Sequence, residues 1–176
     1  VNSSEKSIKN VALILKNKGI ETEGKIHLIE GDLKNLNDIE KVFQMSLKLK
    51  KGIEAVIHFA GLKSVFDSIL EPLNYWENNL CGTINLLIIM KKYKCKNIVF
   101  SSSASIYKTQ SNKLLNENDV CDPINPYGNS KLTIENVLKD VFKSEPLEWR
   151  VASLRYFNPI GAHEFGLLGE DPIGKP

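Results

Sequence analysis

The sequence predicts an α/β fold: a parallel β-sheet with helices on both faces. Three observations carry this. Short apolar runs of strand length, at residues 55–60, 97–102 and 149–156, alternate with longer stretches of helical period. The runs are mostly apolar throughout, as in parallel strands covered on both faces. The residues of chemical interest fall at the carboxyl ends of these runs, where open parallel sheets bind ligands.

Each element has its own signal. Residues 4–18 read as an amphipathic helix, with Ile8, Val11, Ala12, Leu13 and Leu15 on one face. Residues 25–33 begin as a short strand at 26–29 and end in Gly31-Asp32-Leu33. Asn37, with Glu40 three residues on, reads as the N-cap and box partner of a second helix. Residues 55–60 are a buried strand followed directly by Gly61. Pro72 opens one long helix reaching about Lys92. Residues 107–126 are a polar loop, residues 127–143 a helix and residues 149–156 a strand, and a glycine- and proline-rich tail runs from Asn158.

Composition narrows the function class. The chain has 176 residues, 42% hydrophobic and 25% charged, ordinary values for a globular domain with a real core. A formal charge of +2 does not argue for nucleic acid or an anionic membrane as partner. No apolar run reaches the roughly 18 residues needed to span a bilayer. The three cysteines lack metal-ligand spacing and fit reduced thiols of the cytoplasm, and Cys81 reads as a small buried apolar residue. His58, in an apolar strand, reads as a packed core histidine, and no metal site is expected. The chain starts at Val1 and stops at Pro176 without a closing element, so both ends read as cuts through a longer protein.

The most informative stretch is Tyr127-Gly128-Asn129-Ser130-Lys131. Four residues make about one helical turn, so the phenol and the ammonium share a face. A lysine ammonium beside a phenol favours the phenolate and makes a usable acid/base near neutral pH. Upstream, a strand ends in Ser101-Ser102-Ser103. Serine, tyrosine and lysine in that order suggest hydride chemistry on an alcohol carbon, with a nicotinamide as hydride acceptor. Tyr-x-x-x-Lys alone is a weak motif; its bland reading is a half-buried tyrosine beside a solvated lysine.

Taken together the pieces resemble the extended short-chain dehydrogenase/reductases and, within them, the UDP-glucose 4-epimerase family. The matching stretches are residues 58–65, Asn78-Asn79 with Gly82-Thr83, residues 100–107, Asn125-Pro126-Tyr127-Gly128, residues 154–163 and Gly169-Glu170-Asp171-Pro172. The resemblance implies a Rossmann-type doubly wound sheet and interconversion of UDP-glucose and UDP-galactose by transient oxidation at sugar C4 with bound NAD+. It places Asp32 and Leu33 against the adenine, and Phe59, Ala60 and Gly61 along the cofactor's path. Lys63 would reach the cofactor or the nucleotide-sugar phosphates, while Asn78 and Ser101 would lie beside the cofactor. Ser103 would hold the sugar 4-hydroxyl and Tyr127 would be the base. Lys131 would bind the nicotinamide ribose and tune Tyr127, and Tyr156, Phe157 and Asn158 would border nicotinamide and substrate. A homodimer paired through the helices from Pro72 and Tyr127 is implied in the same way.

The resemblance is incomplete. The glycine-rich turn that receives the cofactor's pyrophosphate has no counterpart in this sequence. Residues 1–176 are therefore expected to be the central part of a nucleotide-binding domain, with residues 157–176 leading toward a substrate domain. Such a piece, lacking the mid-sheet first strand, is expected to fold poorly alone and to bind NAD weakly. Two alternatives stay open: another sugar-nucleotide epimerase or dehydratase of the superfamily, and a non-catalytic dinucleotide-binding sensor or inactive fragment. Ser103 followed by Ala104-Ser105 lacks the acidic residues a dehydratase needs, which favours epimerisation.

Overall fold

The computed structural model describes residues 9, 13–17, 19, 26–49, 52–108 and 114–161. Residues Gly31–Phe157 form one compact unit, and residues 1–30 with 158–176 form another. In the second of these, residues 13–17 are helical, as the periodicity predicts, while the rest of the amphipathic stretch lies mostly outside the described residues.

The larger unit alternates strand and helix. Its elements are α1 (Leu36–Lys48), β1 (Val56–His58), α2 (Val65–Leu70), α3 (Pro72–Tyr75), a π-helical segment (Trp76–Cys81), α4 (Gly82–Lys92), β2 (Asn97–Ser103), a 3₁₀ turn (Ala104–Ile106), α5 (Pro126–Ser144) and β3 (Arg150–Tyr156). The three strands lie side by side in chain order, all parallel. Val56 pairs with Ile98 and His58 with Phe100, while Asn97 pairs with Arg150 and Ser103 with Tyr156. The carboxyl ends of all three strands thus come to one edge of the sheet, the ligand edge of an open parallel sheet.

The sheet face carrying His58, Ile98 and Phe100 is buried under α4 and α5. The core joins Ile39 and Phe43 of α1, Leu86, Leu87, Ile89 and Met90 of α4, Ile134 and Leu138 of α5, and Trp149. Each such side chain contributes roughly 1.5–3 kcal/mol when fully buried. On the opposite face Ile57, Leu154 and Tyr156 stay accessible, so among the described residues the helices cover one face.

Several elements differ from the sequence reading. Residues 26–32 form no strand. A strand needs a hydrogen-bonded neighbour, and among the described residues none lies beside these. Helix α1 is capped by Asn35, not Asn37: the Asn35 side chain, on an extended residue (φ −105°), accepts the Asn37 N–H. The helix α2 was not legible in the sequence; Ser64 caps it by accepting the Asp67 N–H. The single helix expected from Pro72 to Lys92 is interrupted by a π-helical segment. Cys81 lies on the outward side of that segment and is exposed, while Asn79 and Gly82 face inward; the buried cysteine is Cys95.

Helix α5 starts where its sequence demands. Pro126 occupies the first turn, where a missing N–H costs nothing, and the Asn125 side chain accepts the Gly128 N–H at 2.8 Å. A Cβ on Gly128 would stand 2.4 Å from the Ser105 carbonyl oxygen and 2.8 Å from Pro123 Cβ. An ordinary helix glycine changed to alanine gains about 1 kcal/mol of helix propensity. Here overpacking reverses the sign, and Gly128→Ala is expected to destabilise by roughly 1–3 kcal/mol. A urea melt checks this; a midpoint at or above wild type contradicts the close packing of α5 on the 3₁₀ turn.

Candidate active site

The site grows from the last residues of β2 and the first two turns of α5. Tyr127 and Lys131 stand one turn apart on α5, as their spacing predicts. Lys131 is only 5% exposed, and its Nζ donates to the Ser101 carbonyl at 2.8 Å. The ammonium lies 4.9 Å from the Phe100 ring centroid and 5.8 Å from that of Tyr127. Aromatic faces attract a cation at these distances. Burial pulls the Lys131 pKa down to about 8.

Ser103 ends β2, and its hydroxyl oxygen accepts the Ser105 N–H at 3.2 Å. Because the first turn of α5 packs on Ser105, the strand-end hydroxyls and the tyrosine–lysine helix share one locality. Gly61, at the end of the loop from β1, has φ 148°, a conformation that favours glycine. A Cβ there would fall 3.0 Å from Asn79 Oδ1 and 3.8 Å from Lys131 Nζ, so any side chain at this position would crowd Asn79 and fill the space beside the ammonium.

The remaining expected residues are placed less tightly. Phe59, Ala60 and Lys63 are exposed around Gly61. The rings of Phe59 and Tyr156 lie 6.4 Å apart across the ends of β1 and β3. Phe157 is exposed just beyond β3. Leu33 packs against Gly82 at the start of α4, its carbonyl accepting from the Asn85 side chain. Asp32 is exposed and accepts the Lys34 N–H at 2.9 Å, a turn contact. The Asn78 amide donates to Asn74, within its own helix. Asn158 is exposed and belongs to the other unit.

A buried ionic network supports the strand end and escaped the sequence reading. Glu135, one turn beyond Lys131, is 2% exposed and accepts the Ser102 hydroxyl at 2.6 Å. Arg155 of β3 donates to both Glu135 oxygens, at 3.1 and 2.8 Å, and to the Tyr107 hydroxyl at 2.8 Å. Burial pushes the Glu135 carboxyl up, but the hydrogen bonds from Arg155 and Ser102 more than offset this and leave it below its ordinary value. The network ties α5, β2 and β3 together between the two serines of interest. Its signal in the sequence was Arg155: a charge inside an apolar strand requires a buried partner. A cleft of about 650 Å³ beside it is lined by Tyr107, Glu135, Ser153, Arg155 and Phe157, but not by Ser103, Tyr127 or Lys131.

The chain as a whole is similar to known proteins. A family model described as GDP-mannose 4,6 dehydratase matches residues 1–172. The chain belongs to that family. Individual relatives in it bear epimerase names. A pea protein named bifunctional UDP-glucose 4-epimerase and UDP-xylose 4-epimerase 1 is 51% identical over 146 residues, 83% of this chain and 40% of its own length. UDP-glucose 4-epimerase 3 of rice is 46% identical over 99% of the chain and 44% of its own length. The crystal structure of UDP-glucose 4-epimerase from Bifidobacterium longum, in complex with NAD+ and UDP, is similar at 42% identity with a TM-score of 0.81, over 97% of this chain and 47% of that one. The chain thus spans 40–47% of the length of these three relatives.

Beneath Tyr127 and Lys131 lies His58, 4% exposed. The Thr83 hydroxyl donates to the Asn79 carbonyl at 2.6 Å, so it accepts the His58 Nε2–H at 2.9 Å. Burial, helped by the Lys131 charge, pulls the His58 pKa from 6.5 to about 4. The unfolded chain therefore binds more protons between pH 6.5 and 4, so stability is full above pH 6.5 and falls as pH drops toward 4. The expected loss is about 3 kcal/mol. Urea melts across this range should show that loss in wild type and not in His58→Asn; equal slopes in the two would contradict a buried neutral imidazole.

Proposed function

We propose that this chain is the central part of the nucleotide-binding domain of an NAD-dependent UDP-glucose 4-epimerase, an isomerase that interconverts UDP-glucose and UDP-galactose. The observation that carries the proposal is the buried Lys131 ammonium held on the Ser101 carbonyl, beside the Tyr127 ring and next to Gly61. A positive charge next to a glycine at the carboxyl edge of a parallel sheet suits a dinucleotide.

When bound, NAD supplies the hydride acceptor and donor for C4 of the sugar. Lys131 holds the nicotinamide ribose and keeps its positive charge beside the phenol. Tyr127 takes the proton from the sugar 4-hydroxyl and returns it after the sugar has turned over, while Ser103 holds that oxygen. Phe59, Ala60, Lys63, Asn78 and Ser101 flank the cofactor, with Asp32 and Leu33 at its adenine end. Tyr156, Phe157 and Asn158 border nicotinamide and substrate, and residues 157–176 lead into the domain that grips UDP. The chain acts within a homodimer of the cytoplasm, with a UDP-sugar as its small-molecule partner. No helix among the described residues is long and apolar enough to cross a membrane. The pea relative's name favours a second substrate pair at the same site, the UDP-pentoses.

The test is an assay of the full-length protein carrying this segment, with UDP-galactose and no added NAD. UDP-glucose should form, and Tyr127→Phe should slow the reaction by on the order of 10²–10⁴-fold while NAD remains bound. Conversion of UDP-xylose alone would move the assignment to pentoses, and a wild-type rate in Tyr127→Phe would remove Tyr127 as the base.

A further inference from the structure

Asn85 is the fourth residue of α4 and is half-buried. Its side chain reaches a turn that lies far back in the chain, before α1. The Nδ2 donates to two consecutive backbone carbonyls, that of Leu33 at 3.1 Å and that of Lys34 at 3.2 Å. An amide nitrogen carries two hydrogens, one for each carbonyl. These partners dictate the orientation of the amide: turned over, its oxygen would face two carbonyl oxygens.

The same turn meets α4 at a second point. A Cβ on Gly82 would stand 3.1 Å from Leu33 Cβ, so Leu33 seats where α4 has no side chain. Lys34 also reaches Glu77 at 3.7 Å, an exposed pair that adds little. Within the turn, the Lys34 N–H donates to the Asp32 carboxylate and the Asn35 N–H to the Asp32 carbonyl, both at 2.9 Å. Those contacts give the turn its shape. Asn85 and Gly82 fix where its carbonyls stand on α4. That place borders the ligand edge of the sheet. Thr83, next to Gly82, bonds at 2.9 Å to His58, the last residue of β1. The start of α4, and the turn docked on it, therefore lie at the carboxyl end of β1.

We infer that Asn85 is a positioning residue for the cofactor: by holding the Leu33 and Lys34 carbonyls it fixes the Asp32–Leu33 turn and so sets how tightly the adenine end of the dinucleotide is held. The inference rests on the epimerase reading above for the placing of the adenine at this turn. Two carbonyls side by side demand two N–H donors from one planar group. Aspartate keeps the shape but sets a carboxylate against two carbonyl oxygens, which pushes the turn off α4. Alanine removes both bonds without adding repulsion and raises helix propensity. Stability and cofactor affinity therefore part company in Asn85→Ala.

The test uses the full-length protein as wild type, Asn85→Ala and Asn85→Asp, each stripped of cofactor and titrated with NAD+ and with ADP, which lacks the nicotinamide. The Kd for both ligands should rise by the same factor, about threefold to tenfold in Asn85→Ala and more than about tenfold in Asn85→Asp. The effect should appear in Kd and not in turnover: kcat for UDP-galactose at saturating NAD+ should stay within about twofold of wild type. The thermal midpoint of Asn85→Ala should not fall. Wild-type Kd values in a folded Asn85→Asp protein overturn the inference. So does weaker NAD+ binding with ADP binding unchanged, or a lower kcat at saturating NAD+ with both Kd values unchanged. Should Asn85→Asp fail to fold, Asn85→Ala carries the test alone, and unchanged ADP affinity there overturns the inference. If wild type binds NAD+ and ADP but converts no UDP-sugar, the epimerase reading fails and the Kd comparison still decides the role of Asn85. If wild type binds neither ligand, both fall.

Discussion

A lysine ammonium buried at the end of a parallel sheet is the constraint on which the rest of this structure depends. Among the described residues Lys131 donates to the Ser101 carbonyl and has two aromatic faces nearby. Removing an ammonium from water is costly unless hydrogen bonds and nearby negative potential offset it. The fold supplies part of that compensation and sets the ammonium next to Gly61, where any side chain would fill the space beside it.

Much of the surrounding architecture fixes where that ammonium sits. The Asn125 cap and Pro126 start α5 at a defined residue, so Tyr127 and Lys131 face the sheet. The Glu135–Arg155 pair, with Ser102 and Tyr107, locks the same helix to β2 and β3 one turn further on. Breaking a buried pair of this kind leaves an uncompensated charge, which is why such networks specify geometry even where their net contribution to stability is small. Below, His58 stays neutral and spares Lys131 a second buried positive charge.

The chemistry-bearing residues were legible in the sequence because they lie close together along the chain. The Tyr127–Lys131 spacing, the serines ending β2 and the order of strands and helices are all local patterns. Residues whose roles depend on distant partners were not legible. The π turn that aims Asn79 at Leu62 has no local signature, and Glu135 gains its partner only when Arg155 reaches it from β3. Asp32 was legible only as the end of a run; its contacts to Lys34 and Asp38 come from the turn that leads into α1. The strand expected at residues 26–29 has the right composition, but composition does not supply the neighbour a strand requires.

The most direct test of this account is the ionisation of Lys131 itself. An NMR titration of lysine side-chain resonances in the ligand-free full-length protein, with Lys131→Arg to assign the signal, reads it without reference to any substrate. A midpoint near 8 is expected, because burial opposes the charged form. A midpoint near the ordinary lysine value of about 10.4 would mean that the ammonium is solvated, and would contradict the buried site.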